Sequence, residues 1–149
     1  MVDLILAVAH HLVVFSLVAL FAAEFTLLRP GIEGRRLAQL GAIDGAYGAV
    51  AGIVIVVGIL RVVFGSAGAG YYLVNWAFWM KIAAFLLVGL LSIGPTVAII
   101  GWRREAKASP GFAPNADAVA TARRFLFGEA VLLVFIPAFA ATMARGYGV

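Results

Sequence analysis

The stretch LILAVAHHLVVFSLVALFAAEFTLL, residues 4–28, decides the fold of this chain. It is an apolar run longer than the roughly 20 residues that a helix needs to cross the hydrocarbon core of a bilayer. It contains His10, His11 and Glu24, and the sequence has no other histidine. Because polar groups at membrane depth are costly and tend to be functional, this stretch predicts a membrane span that carries part of a site.

The composition of the whole chain is that of an integral membrane protein. It is 64% hydrophobic and 12% charged, with a mean hydropathy of +1.09, whereas soluble domains carry about 25% charged residues. Its 149 residues accommodate one domain, residues 1–149, with about four spans. There is no cysteine, which excludes disulfides and thiolate metal sites.

Three connections divide the chain into an all-α bundle of four transmembrane helices, up-down-up-down. Arg29-Pro30-Gly31 ends the first span, because proline disfavours helix at the residue before it. Residues 65–70 are rich in glycine and uncharged, and predict a flexible link that an interfacial aromatic belt follows. Residues 103–119 form the longest predicted loop. The predicted spans are residues 4–28, 41–64, 73–102 and 120–143.

Residues inside the later spans carry packing signals. Gly41 with Gly45, and Gly48 with Gly52, have the small-xxx-small spacing that lets another helix approach closely, within the chain or in a homo-oligomer. Gly94-Pro95 is expected to kink the third span, and Pro137 to bend the fourth.

The basic residues predict the orientation of the bundle. The net charge is +4, and eight of the eleven Lys and Arg residues lie in or beside the first and third connections: Arg29, Arg35, Arg36, Arg103, Arg104, Lys107, Arg123 and Arg124. The positive-inside rule places those connections in the cytoplasm and both termini outside. This topology explains the positive charge without a nucleic-acid partner, and we expect a multi-pass protein of the bacterial inner (plasma) membrane.

Antiparallel spans bring four basic side chains to one depth in the outer half of the membrane. At 1.5 Å per residue, His10 and His11 lie roughly 10 Å from the outer end of the first span, and Lys81 lies roughly 12 Å from the outer end of the third. Arg61 lies near the outer end of the second span. Because this layer holds no carboxylate, a bound anion is expected, for example the two propionates of haem.

Simpler explanations of the outer layer remain open. Arg61 and Lys81 are long enough to extend towards the outer headgroups, and one histidine is able to hydrogen-bond a neighbouring helix. His10 and His11 are adjacent and point about 100° apart, so only one comfortably faces a given site.

Three carboxylates occupy the inner half of the predicted bundle. Glu24, Asp44 and Glu129 lie there, and arginines near the cytoplasmic interface are expected to pair with them. Glu129 lies nearer the middle of the membrane, which makes it a candidate for a proton path.

Two stretches resemble a known superfamily. Residues 10–30, HHLVVFSLVALFAAEFTLLRP, are similar to the first span of the HemJ-type protoporphyrinogen oxidases and their CopD-like relatives. Residues 78–95, FWMKIAAFLLVGLLSIGP, resemble a later span of those proteins, in which a lysine follows an aromatic-rich start. The whole chain resembles a family of bacterial four-helix membrane proteins related to that superfamily.

The resemblance implies a haem b- or porphyrin-binding redox protein, with an oxidoreductase activity linked to the macrocycle. It implies His10 or His11 as ligand of the haem iron, and Lys81 near the propionates or the substrate. Trp79 and Met80 stand beside the lysine instead of a histidine. The second axial ligand is therefore expected from Met80 or from a histidine of a second subunit.

Two functions of other classes fit the same residues. A small proton- or ion-coupled transporter would use Glu129 and the histidines as parts of its path. An accessory subunit of a larger membrane complex would use the glycine faces of the second span for packing.

Overall fold

The computed structural model describes residues 1–148, and within them all regular structure is helical. There are five helices in this range: α1 (Val2–Leu27), α2 (Gly34–Phe64), α3 (Gly68–Val74), α4 (Trp76–Ala108) and α5 (Ala116–Ala144). Four of them, α1, α2, α4 and α5, are long and apolar enough to cross a membrane. The predicted fold class, an all-α membrane bundle of four spans, is confirmed.

Three of the long helices, α2, α4 and α5, extend beyond the predicted spans at their inner ends. By inner ends we mean the ends that the charge pattern places in the cytoplasm. Helix α2 begins at Gly34 and α4 continues to Ala108, so the connection between α4 and α5 is only residues 109–115. Arg35, Arg36 and Arg103 are therefore helical rather than in loops. Polar residues end the hydrophobic span without ending the helix, because arginine and lysine are good helix formers in water.

The link after α2 differs from the expected flexible segment. Its second half folds into α3, a short helix that begins at Gly68, whose φ of +74° suits glycine. Asn75 separates α3 from α4, and its side-chain oxygen accepts hydrogen bonds from the backbone N–H groups of Ala77 at 2.9 Å and Phe78 at 3.4 Å. The expectation that the third span begins at residue 73 missed this cap, which starts α4 at Trp76.

The helices pack in the order α1, α2, α4, α5, and α3 bridges α2 and α4. The chain forms two helical hairpins, α1–α2 and α4–α5, and a separate hydrogen-bonded contact stabilises the outer end of each. Asp3 at the start of α1 accepts hydrogen bonds from the N–H and the hydroxyl of Ser66, which follows α2. Tyr71 donates to the carbonyl of Met143 at 2.5 Å, which fastens α3 to the end of α5.

The buried core occupies the inner half of the bundle. Leu17, Phe21, Leu40, Ile99 and Leu126 belong to it. In the outer half, by contrast, no residue is buried in residues 2–16 of α1, 55–64 of α2 or 130–144 of α5. The inward-facing side chains of these three segments are at most half-buried, so packing is tighter at the inner end of the bundle than at the outer end.

The glycines of α2 have two different uses. The Arg103 side chain lies against Gly41 in the space that a Cβ would fill. Gly45, Gly48 and Gly52 have nothing within 4 Å of a Cβ position and lie on an exposed face, so they are not used for packing within the chain. Their predicted use in an oligomer stays a prediction. Pro95 and Pro137 both lie inside continuous helices.

We expect Asn75→Ala to lower the free energy of unfolding by about 2 kcal/mol, because removal of the cap leaves the buried N–H of Ala77 without an acceptor, while the N–H of Phe78 keeps the main-chain carbonyl of residue 75. Asn75 is 0% exposed, and its amide also donates to the carbonyl of Tyr147 at 3.4 Å. The matched control is Asn115→Ala, which removes an exposed cap that accepts only from Ala118 and should cost about 1 kcal/mol. Denaturant unfolding in detergent, followed by circular dichroism, measures both, and equal losses would contradict the role given to Asn75.

Candidate functional site

His10 is the histidine that faces the interior of the bundle. It lies against α2, where its Cε1 is 3.7 Å from the position that a Cβ on Gly58 would take. That distance is an ordinary van der Waals contact, so the ring packs directly beside Gly58. Its Nδ1 is buried and has no hydrogen-bond partner within the described residues.

His11 points away from that space. Its side chain is exposed, and its Nδ1 lies 2.7 Å from the carbonyl oxygen of Ala7, one turn back in α1. The two rings are 6.4 Å apart and nearly perpendicular, at 84°. The structure thus answers which of the adjacent histidines is inward, a point that the sequence left open.

Arg61 and Lys81 approach His10 from α2 and α4. Both side chains lie close enough to His10 for their positive charges to interact electrostatically with its ring, and the two charges also repel each other. The Nε of Arg61 is buried with no acceptor among the described residues. The Nζ of Lys81 lies 5.4 Å from the centroid of the Phe78 ring, a cation–π contact. The predicted outer basic layer is therefore brought together by three helices.

Met80 lies on a different side of α4 from Lys81. Its side chain is 46% exposed, whereas that of Lys81 is half-buried. Adjacent residues on a helix point about 100° apart, so the inward position of Lys81 carries Met80 outward.

The inner carboxylates also come together, from three helices. Glu24 of α1, Asp44 of α2 and Glu129 of α5 are 1%, 6% and 0% exposed. Asp44 and Glu129 are both close enough to Glu24 for their negative charges to repel that of Glu24. Within residues 1–148, no group of three or more His, Cys, Asp or Glu side chains is arranged to hold a metal ion.

Asp44 is the carboxylate with charge compensation. It accepts a hydrogen bond of 2.6 Å from the Thr96 hydroxyl, and the positive charge of Arg103 is near enough to stabilise the carboxylate electrostatically. Gly41, one turn before Asp44, makes room for the Arg103 side chain. Arg103 thus lies near Asp44, but the described residues contain no hydrogen bond between the two side chains, so the predicted arginine pair is not formed directly.

Glu24 and Glu129 do not pair with the arginines that the sequence suggested. Tyr47 donates its hydroxyl to Oε2 of Glu129 at 3.2 Å, while Oε1 of Glu129 and Oε2 of Glu24 have no partner in the described part of the chain. Arg123 of α5 instead donates its Nη1 to the main-chain carbonyls of Phe25 and Leu28, and its guanidinium lies 4.8 Å from the centroid of the Phe25 ring.

Sequence reasoning missed Tyr47 and Thr96 as members of this inner group. Tyr47 follows Asp44 by three residues, so both lie on one face of α2, which is a signal available in the sequence. Thr96 had no such signal, because a threonine in an apolar helix usually bonds its own backbone.

Fold and site together define a class: a small helical membrane protein with a basic layer in one half of the bilayer and buried carboxyls in the other. The family model for predicted membrane proteins of the DUF2214 type matches residues 2–148. The chain therefore belongs to the DUF2214 family, a match that carries no link to the HemJ-type or CopD-like proteins. No curated protein matches the chain. No solved structure matches it either.

Gly41→Ala should disturb the inner site, because the new Cβ would collide with Arg103 and move its guanidinium away from Asp44. We expect a loss of about 1 kcal/mol in the free energy of unfolding, measured in detergent by denaturant titration. Gly45→Ala is the control: it meets nothing within 4 Å and should be neutral or gain up to about 1 kcal/mol from helix propensity. If Gly41→Ala raised the free energy of unfolding as well, the position of Arg103 against Gly41 would have no role in stability.

Proposed function

We propose that this protein binds haem b or a related porphyrin in the outer half of its bundle and serves a redox reaction in the membrane. The proposal rests on one observation: His10, Arg61 and Lys81 come together at one depth. No carboxylate is among the charged groups close enough to influence His10 electrostatically. A neutral imidazole is a usual axial ligand of haem iron, and two cations suit the two propionates.

The residues fit such a group in three respects. The Nδ1 of His10 and the Nε of Arg61 are buried and lack partners in the described chain, so polar atoms are available at the site. The outer halves of α1, α2 and α5 bury no residue, so a flat apolar ring would lie against them without displacing a packed core. The His10 imidazole packs beside Gly58, which holds the ring against α2.

Each residue of the chain has a distinct task in this proposal. His10 binds from α1, and Arg61 and Lys81 orient the macrocycle by holding carboxylates near the outer surface. A bound haem supplies one-electron chemistry at its iron, while the surrounding apolar helices keep water away. Holding the carboxylates also compensates the cations, whose mutual repulsion and desolvation would otherwise be uncompensated.

The proposal uses one protein ligand from each chain. Met80 faces outward on α4, and His11 is exposed on α1, so neither points at the site with His10. A second axial ligand would come from a second copy of the chain, for which the exposed glycines of α2 offer a face. The distant relationship to HemJ-type and CopD-like proteins, the oxidoreductase activity and the location in a bacterial plasma membrane are parts of this same proposal.

The absorption spectrum of the detergent-purified protein tests the proposal directly. We expect a Soret band and sharp α and β bands after dithionite reduction, either as purified or after haem is supplied. His10→Ala should abolish the bands, whereas His11→Ala, the adjacent control, should keep them because that ring faces away. A protein that stays colourless with haem present would refute haem binding, and bands lost only in His11→Ala would refute the assigned ligand.

The basic side chains give a second, graded test. Arg61→Gln and Lys81→Gln should each weaken haem binding about tenfold, which corresponds to about 1.4 kcal/mol for one lost propionate contact. Arg124→Gln is the matched control, since Arg124 is exposed near the inner end of α5. Haem titration of the apoprotein measures all three affinities, and equal affinities would remove the two residues from the site.

A further inference from the structure

The inner half of the bundle contains two carboxyl groups that nothing in the outer site uses. Glu24 of α1 and Glu129 of α5 are 1% and 0% exposed, and each has one oxygen without a hydrogen-bond donor in the described residues. Two buried glutamates that each have an unpartnered oxygen, on helices at opposite ends of the sequence, require a physical explanation.

None of the charged or titratable groups around the pair donates a hydrogen bond to the two unpartnered oxygens. From α2, Asp44 adds negative charge, and Tyr47 donates only to Oε2 of Glu129. From α4, Thr96 donates to Asp44 and Arg103 acts on the same carboxylate. From α5, the Nη1 of Arg123 donates to main-chain carbonyls.

A charged pair would be strongly disfavoured in these surroundings. Burial removes the water that stabilises a carboxylate, and two carboxylates near a third repel one another. Bound protons remove the charge and turn each unpartnered oxygen into an O–H or a weaker acceptor. A divalent metal would need more oxygen ligands than two glutamates and a phenol provide.

We propose that Glu24 and Glu129 form a proton-binding site, in which both carboxyls hold a proton in the folded protein at neutral pH and the Tyr47 hydroxyl donates to Glu129. Asp44, which has Thr96 and Arg103, is the charged neighbour of this pair. The ligand of the site is the proton itself, and Glu24 lies one helical turn from the inner end of α1, close to the predicted cytoplasmic water. The inference does not depend on haem, and it holds for a colourless protein as well.

Infrared spectroscopy of the full chain in lipid vesicles at neutral pH measures protonated carboxyls through their carbonyl stretching band. We expect two such contributions, both shifting in D₂O as the bound protons exchange. Glu24→Gln and Glu129→Gln should each remove one contribution. The control is Glu105→Gln, which replaces an exposed carboxylate and should leave the band unchanged. Asp44→Asn should keep both glutamate contributions and shift their frequencies, because it removes a neighbouring charge.

The absence of any protonated carboxyl band in the wild-type protein would overturn the proposal. A band that disappears in Asp44→Asn and persists in the glutamate variants would overturn it as well, since the proton would then belong to Asp44. If a glutamine variant fails to fold, the wild-type band decides the matter alone: its loss on raising the pH, with the helical circular dichroism retained, is the expected result. Tyr47→Phe should shift the Glu129 contribution and leave that of Glu24 in place.

Discussion

The fold depends on one constraint: at the inner end, the backbone carbonyls that finish α1 must find donors where little water reaches. Arg123 meets this need. Its guanidinium donates to the carbonyls of Phe25 and Leu28 and stacks on the Phe25 ring, and Leu28 is fully buried beneath it. Because α1 and α5 are not packed as neighbours along their length, this contact from side chain to backbone is what joins the first and last helices and closes the core.

Once Arg123 is used in this way, it does not compensate the glutamates. Glu24 and Glu129 are buried where the inner end closes. The Arg103 side chain lies against Gly41, where its charge stabilises Asp44. The outer half presents the opposite case, because His10, Arg61 and Lys81 meet there and the one carboxylate at that end, Asp3, accepts its hydrogen bonds from Ser66. The two halves of the bundle thus differ in the sign of the charge that is missing: the inner half has too few donors and the outer half has too few acceptors.

The sequence was sufficient for the fold and for the depth of each polar side chain. Length and hydropathy determine the four spans, and position along a span determines depth, so His10, Arg61 and Lys81 were correctly predicted to share a layer in the structure. Rotation of each helix about its axis was not predictable. Lipid and protein core are both apolar, so a helix that is hydrophobic all round does not indicate which side faces inward. For this reason the inward position of His10, the outward position of Met80 and the contact of Tyr47 with Glu129 required three-dimensional coordinates, as did the cap at Asn75.

The separate fastenings at the outer end have a mechanical consequence. Asp3 ties α1 to the turn after α2, and Tyr71 ties α5 to α3, but neither bond crosses from one hairpin to the other. The two hairpins meet through the packing of α2 on α4 and through α3, whereas α1 and α5 are joined at the inner end by Arg123. In the outer half, the side of the bundle between α1 and α5 is therefore the least restrained, and a hydrophobic molecule dissolved in the bilayer would enter the bundle from that side.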